Sequence, residues 1–131
     1  MRQITAISLV IGALLGMAGT FAPSASARGL AWTVDGTALV VAAALLAVHH
    51  LRRGNELAAA GFLVFVAGEA LILQSASQSV DASSPSFIAG ICLWAASLVM
   101  VGLSGTMPFL AYPFLAATLV EWAWAHYRQR L

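Results

Sequence analysis

Glu69 stands twelve or so residues inside an apolar stretch, and a carboxyl group in that setting is the first feature of the chain that invites chemistry. At a helical rise of 1.5 Å per residue it lies roughly 18 Å from the start of the stretch. An ionised side chain at the centre of a membrane helix costs roughly 2.5 to 3.5 kcal/mol on insertion scales, so it needs a polar partner or a function. The hydroxyls of Ser97 or Thr118, the carbonyl of Phe109 or a trapped water are the partners the sequence offers. Glu69 reads either as a proton or cation relay or as hydrogen-bond glue between helices. Glu121, seven residues before Arg128, is a second intramembrane polar candidate. Its plainer reading is an interfacial acid paired with Arg. Gln74 and Gln78 sit toward a serine-rich loop, as a polar vestibule or an ordinary fraying interface.

His49, His50 and His126 raise the question of haem or metal ligation. Neighbouring helical residues point about 100° apart, so His49 and His50 cannot share one metal on a regular helix. An odd number of crossings separates His50 from His126, which puts that pair on opposite faces. No cofactor and no metal is therefore expected. The sequence has no HExxH, phosphate-binding loop, GxGxxG or nucleophile elbow, and no enzymatic activity is expected. Cys92 is the single cysteine, which excludes an intrachain disulfide and a cysteine-based metal cluster.

The elements that must hold these residues follow from the composition of the 131-residue chain: 61% hydrophobic, 8% charged, with a mean hydropathy of +0.91. Soluble domains are about a quarter charged, and a core this small cannot hide so much apolar surface. The expected fold is a single all-α polytopic transmembrane helix bundle over 1–131. Its spans are read at about 4–22, 33–51, 56–77, 86–103 and 108–127. Six basic residues, all Arg, against five acids leave a net charge of +1, with no basic surface for a nucleic acid. The expected partners are the lipid bilayer, other membrane subunits or a second copy of the chain.

Small residues mark helix-packing seams. Ser8, Gly12 and Gly16 recur every four residues, and Gly61 and Gly68 are one heptad apart. Asp35 is expected in the first turn of the second span, near the positive end of its dipole. Ser84-Pro85 reads as the cap and first turn of the fourth span. Pro113 is expected to kink the fifth. Trp122, Trp124, Tyr127, Arg128 and Arg130 form an interfacial anchor. Ala25-Ser26-Ala27 resembles a signal-peptidase site, but the apolar block before it exceeds a signal core. Retention is preferred, and cleavage would leave four spans. Arg2, Arg52 and Arg53 share one side of the five-span plan while Arg28, Arg128 and Arg130 share the other. That tie leaves Arg2, ahead of the first block, to favour a cytoplasmic N-terminus.

Two stretches, Arg53-Gly-Asn-Glu-Leu-Ala-Ala-Ala-Gly-Phe-Leu-Val-Phe and Pro108-Phe-Leu-Ala-Tyr-Pro-Phe-Leu-Ala-Ala-Thr-Leu, resemble segments of a family of uncharacterised bacterial small integral membrane proteins. They cover roughly a fifth of the chain. The resemblance implies a bacterial inner membrane and carries no activity. The short Ser104 to Met107 turn departs from that family, whose members have more sequence ahead of the Pro-Phe-Leu-Ala-Tyr-Pro stretch, and this bears on the span count. Two functions follow as expectations. The first is an accessory or assembly subunit, or a homo-oligomer, acting through helix packing. The second is a small transporter or channel using Glu69.

Overall fold

A computed structural model describes residues 2–76 and 80–106, without the side chains of residues 2, 76 and 80–84. The described residues are helical and form four elements, α1 (Arg2–Thr20), α2 (Ala25–Leu51), α3 (Glu56–Ala76) and α4 (Val80–Leu103). All four are long and apolar enough to cross a membrane. The expected fifth span and the aromatic anchor from Trp122 to Arg130, with Glu121, Thr118 and His126, lie outside the described residues.

Two boundaries differ from the sequence expectation. The second helix begins at Ala25 rather than near Thr33, because Ser24 caps it: the Ser24 hydroxyl accepts from the Ala27 amide at 3.2 Å with extended backbone (φ −136°, ψ 154°). Ala25-Ser26-Ala27 is thus the opening of α2. Asp35 falls ten residues beyond that start, roughly 15 Å along the axis, and not in the first turn. The fourth helix begins at Val80, so Pro85 lies inside it rather than opening it. Pro85 is the sixth residue of α4, past the first turn, and removes the donor that the Asp81 carbonyl would otherwise receive.

The α2 end is a tightly closed turn. Gly54 takes φ +73°, its amide donates to the Leu51 carbonyl and the Asn55 amide donates to the His50 carbonyl, both at 3.0 Å. That pair of bonds satisfies carbonyls the helix leaves open, and the positive φ calls for glycine. Asn55 then caps α3, its Oδ1 accepting from the Ala58 amide at 3.1 Å. Its Nδ2 donates to the Thr106 hydroxyl at 3.2 Å, and Thr106 and Ser104 hydroxyls meet at 2.6 Å. The α2–α3 turn and the α4 end are thereby tied together.

The helices pack antiparallel in chain order: α1 on α2, α2 on α3, α3 on α4, with no other pairing among the described elements. Gly19 against Trp32, Gly16 against Asp35 and Gly12 against Leu39 set the first register. Gly61 against Val101, Gly68 against Trp94 and Gly90 against Ile72 set the last. The buried apolar side chains are mostly small, with Ala42, Ala43, Ala47, Ala58 and Ala59 among them. Small residues let helix backbones approach where lipid removes the hydrophobic drive between helices.

Candidate functional site

Each polar side chain of the site lies over a glycine of the preceding helix. Asp35 of α2 points to α1, where a methyl group at Gly16 would stand 2.8 Å from Oδ2 and one at Gly12 3.2 Å from Oδ1. Glu69 of α3 points to α2, where a methyl at Gly36 would stand 2.6 Å from Oε1. Trp94 of α4 points to α3, where a methyl at Gly68 would stand 2.8 Å from its Cδ1. Asp35 adjoins Gly36 in sequence and Glu69 adjoins Gly68. One helix position therefore offers a polar group in one direction and its neighbour a floor for the next polar group. The result is a file of Asp35, Glu69 and Trp94 across three interfaces, near the middle of the helices.

Glu69 is only 4% exposed, and its Oε2 has no hydrogen-bond partner among the described residues. The Trp94 indole lies beside the carboxyl, yet its buried Nε1 does not reach hydrogen-bonding geometry either. The charge that bears on Glu69 is the like charge of Asp35 rather than that of a basic group. Asp35 is partly buried against α1. Phe65 stacks on Trp94, ring centres 5.4 Å apart and nearly coplanar at 4°, which fixes the indole on the α3 side.

Of the partners that sequence reading named for Glu69, Ser97 is buried at 2% exposure, but its carbonyl faces the Gly61 position, two helical turns along α3. Thr118 and Phe109 lie outside the described residues. Sequence reading passed over Trp94, Gly36 and Gly90, and it placed Asp35 in a first helical turn rather than at this site. The signal for the first two glycine contacts was present, since Asp35-Gly36 and Gly68-Glu69 repeat an acid beside a glycine on successive spans.

The packing residues take distinct places. Gly12 and Gly16 face α2, joined by Gly19, while Gly61 and Gly68 face α4. Ser8, one turn before Gly12, is half-buried. Gln74 is exposed near the α3 end. His50 stacks on Phe62 of α3, with ring centres 5.5 Å apart at 16°, and His49 meets His50 edge-on at 5.4 Å. The His50 ring is occupied with aromatic packing against both Phe62 and His49. Among the described residues, no three His, Cys, Asp or Glu side chains gather in a metal-binding group. Cys92 is free and exposed. At the opposite end of α2 from the histidines, the Arg28 guanidinium sits 5.9 Å from the Trp32 ring centre.

Two carboxyls in an apolar interior can hold a positive species. A buried carboxylate without a cation is costly, and binding of a proton or a small monovalent cation removes its charge. No family model, curated protein or solved structure matches the chain.

Proposed function

We propose that the chain is a multi-pass membrane protein, in the bacterial inner membrane that its resemblance implies, and that it binds a proton or a small monovalent cation at Asp35 and Glu69. The observation that carries this is Glu69 Oε2, buried without a partner among the described residues and under the influence of a second carboxyl, Asp35. An acid kept only for helix adhesion would be expected to satisfy both oxygens, because an unpaired buried polar atom costs about 1–3 kcal/mol. Such a cost is retained where a site must exchange its occupant. The protein is read as a small transporter or channel, non-enzymatic, with Asp35 and Glu69 at the level where the bilayer is driest.

Reconstitution of the whole chain in liposomes with an internal pH dye, and separately with sodium or potassium indicators, tests this reading. Wild-type protein is expected to pass protons or one of these cations under an imposed gradient. Glu69→Gln and Asp35→Asn, which keep shape and remove charge, are expected to reduce the flux at least about tenfold, the scale of losing 1.4 kcal/mol of binding. Wild-type flux equal to that of empty liposomes, or unchanged in both variants, removes the proposal.

A second reading is favoured by the chain-order packing, which gives α1 and α4 one helical neighbour each among the described elements. On that reading the protein is an accessory or assembly subunit, or a homo-oligomer, and works by helix packing. Native mass measurement after extraction with mild detergent separates the two. A monomer with no co-purifying subunit excludes the packing role. Among the described residues Arg2, Arg52 and Arg53 share one end of the helices and Arg28 lies toward the other, and with Arg128 and Arg130 outside them a cytoplasmic N-terminus is proposed from Arg2 ahead of the first helix. In a Cys92→Ala background, an impermeant maleimide added to intact cells should label Pro23→Cys and spare Glu56→Cys. The reverse pattern would invert the orientation.

A further inference from the structure

Gly12, Gly16 and Gly19 draw α1 onto α2 along the later half of α1, and no glycine precedes them in that helix. Toward its start, side chains hold α1 away from α2. The gap is a half-open groove of about 360 Å³, lined by Thr5 and Leu9 of α1, Leu45, Leu46 and His49 of α2, and Arg53 of the turn that follows. Its polarity is graded along the helices. Leu9, Leu45 and Leu46 form an apolar floor, while His49 and Arg53 lie at the end where α2 closes and the chain would meet the headgroup region. No acidic residue lines it among the described residues.

We propose that this groove binds one anionic phospholipid of the surrounding leaflet, with its phosphate at Arg53 and His49 and the first part of an acyl chain on Leu9, Leu45 and Leu46. The charge complementarity is specific to this end. Arg53 is exposed and offers a guanidinium with several donors in a fork that suits phosphate oxygens. Arg28, toward the other end of α2, instead lies over Trp32. Basic pockets between membrane helices at the cytoplasmic face are a recurrent form of headgroup recognition. A soluble anion would find only the rim of this groove, whereas a lipid occupies both its charged end and its apolar floor. The proposal is independent of ion binding at Glu69.

The test uses the whole chain in mild detergent, exchanged against phosphatidylglycerol and phosphatidylcholine of identical acyl chains and examined by native mass spectrometry. Retained phosphatidylglycerol is expected to exceed phosphatidylcholine. Arg53→Gln should lower its retention about five-fold, which converts to the roughly 1 kcal/mol that a basic residue contributes near an anionic surface. His49→Gln should lower it less, and Arg28→Gln should leave it unchanged. Leu9→Trp, which fills the groove and leaves every charge in place, should reduce retention of both lipids, with circular dichroism confirming an unchanged helix content in each variant. Equal retention of the two lipids by the wild type overturns the proposal. An equal loss in Arg28→Gln and Arg53→Gln would show general electrostatic adsorption and overturn it as well, as would full retention in Leu9→Trp.

Discussion

The two outer interfaces of the molecule use glycine in opposite ways. Between α3 and α4 both helices contribute glycines, and backbone meets backbone: a methyl at Gly68 would stand 2.9 Å from the Gly90 carbonyl oxygen, and one at Gly90 2.9 Å from that of Gly68. Between α1 and α2 the contributing glycines belong to α1, and what they receive are side chains, Leu39, Asp35 and Trp32. A backbone oxygen cannot move aside without moving its helix, whereas a carboxyl group can rotate. The α3–α4 pair is therefore a fixed wall and the α1–α2 pair an adjustable one. Glu69 sits between them, with its helix held by the first and its companion Asp35 lying on the second.

The contrast predicts unequal costs for the same substitution. Gly90→Ala is expected to destabilise most, by about 1–3 kcal/mol as overpacking of a close contact does, because its methyl also meets Ile72 Cγ1 at 2.6 Å. Denaturation in mixed micelles, followed by circular dichroism, measures this. A loss no greater than that of Gly16→Ala would erase the distinction between the two walls. Glu69→Met, similar in size, should move stability the other way, by about 1 kcal/mol, since it removes a buried oxygen without a partner. The same variant should lose ion flux. A destabilised Glu69→Met would instead make the carboxyl a structural tie.

Asn55→Ala bears on how firmly the fixed wall is closed at its end. It removes both the cap of α3 and the bond to Thr106, for an expected cost of about 1 kcal/mol; no change in the melting curve would show that the polar clasp adds nothing to the α3–α4 contact. The smallest effect is expected at Gly16→Ala, about 0.5 kcal/mol or less as for a site that can relax. Its methyl displaces the Asp35 carboxyl rather than a helix. Because Asp35 moves, flux should fall in this variant more than stability does, and loss of stability without loss of flux would contradict the adjustable role given to α1.

How much of this was legible in the sequence depends on what each residue opposes. Glu69 announced itself as an acid within an apolar run, and the existence of the first four helices followed from apolar length. Asp35 was misplaced because Ala25-Ser26-Ala27 reads as a signal-peptidase site and the second span was counted from about Thr33. The helix in fact starts at Ala25, with Ser24 supplying the cap and Arg28 lying over Trp32. An average over hydropathy weighs Arg28 as a break, although its long side chain can follow the apolar surface to a polar boundary. Pro85 misled for a related reason, since a proline near a helix start is compatible with more than one register. That Trp94 approaches Glu69 depends on the α3–α4 register, which short-range spacing along one helix does not specify. Reciprocal glycines fix it, Gly68 and Gly90, and Gly90 carries no spacing signal on its own helix.

Because each described helix touches only those beside it in sequence, this part of the molecule has little need of distant closure. Packing between neighbours in sequence goes with rapid assembly. Synthesis runs in the same direction as the packing. The α1–α2 hairpin can dock as soon as it emerges, so Asp35 has its glycine floor before Glu69 has left the ribosome. When α3 enters, Gly36 is already in place to receive its carboxyl, and α4 then seals the indole over Gly68. The order of residues along the gene is thus also a workable order of insertion, with each costly polar group translated after the surface that accommodates it.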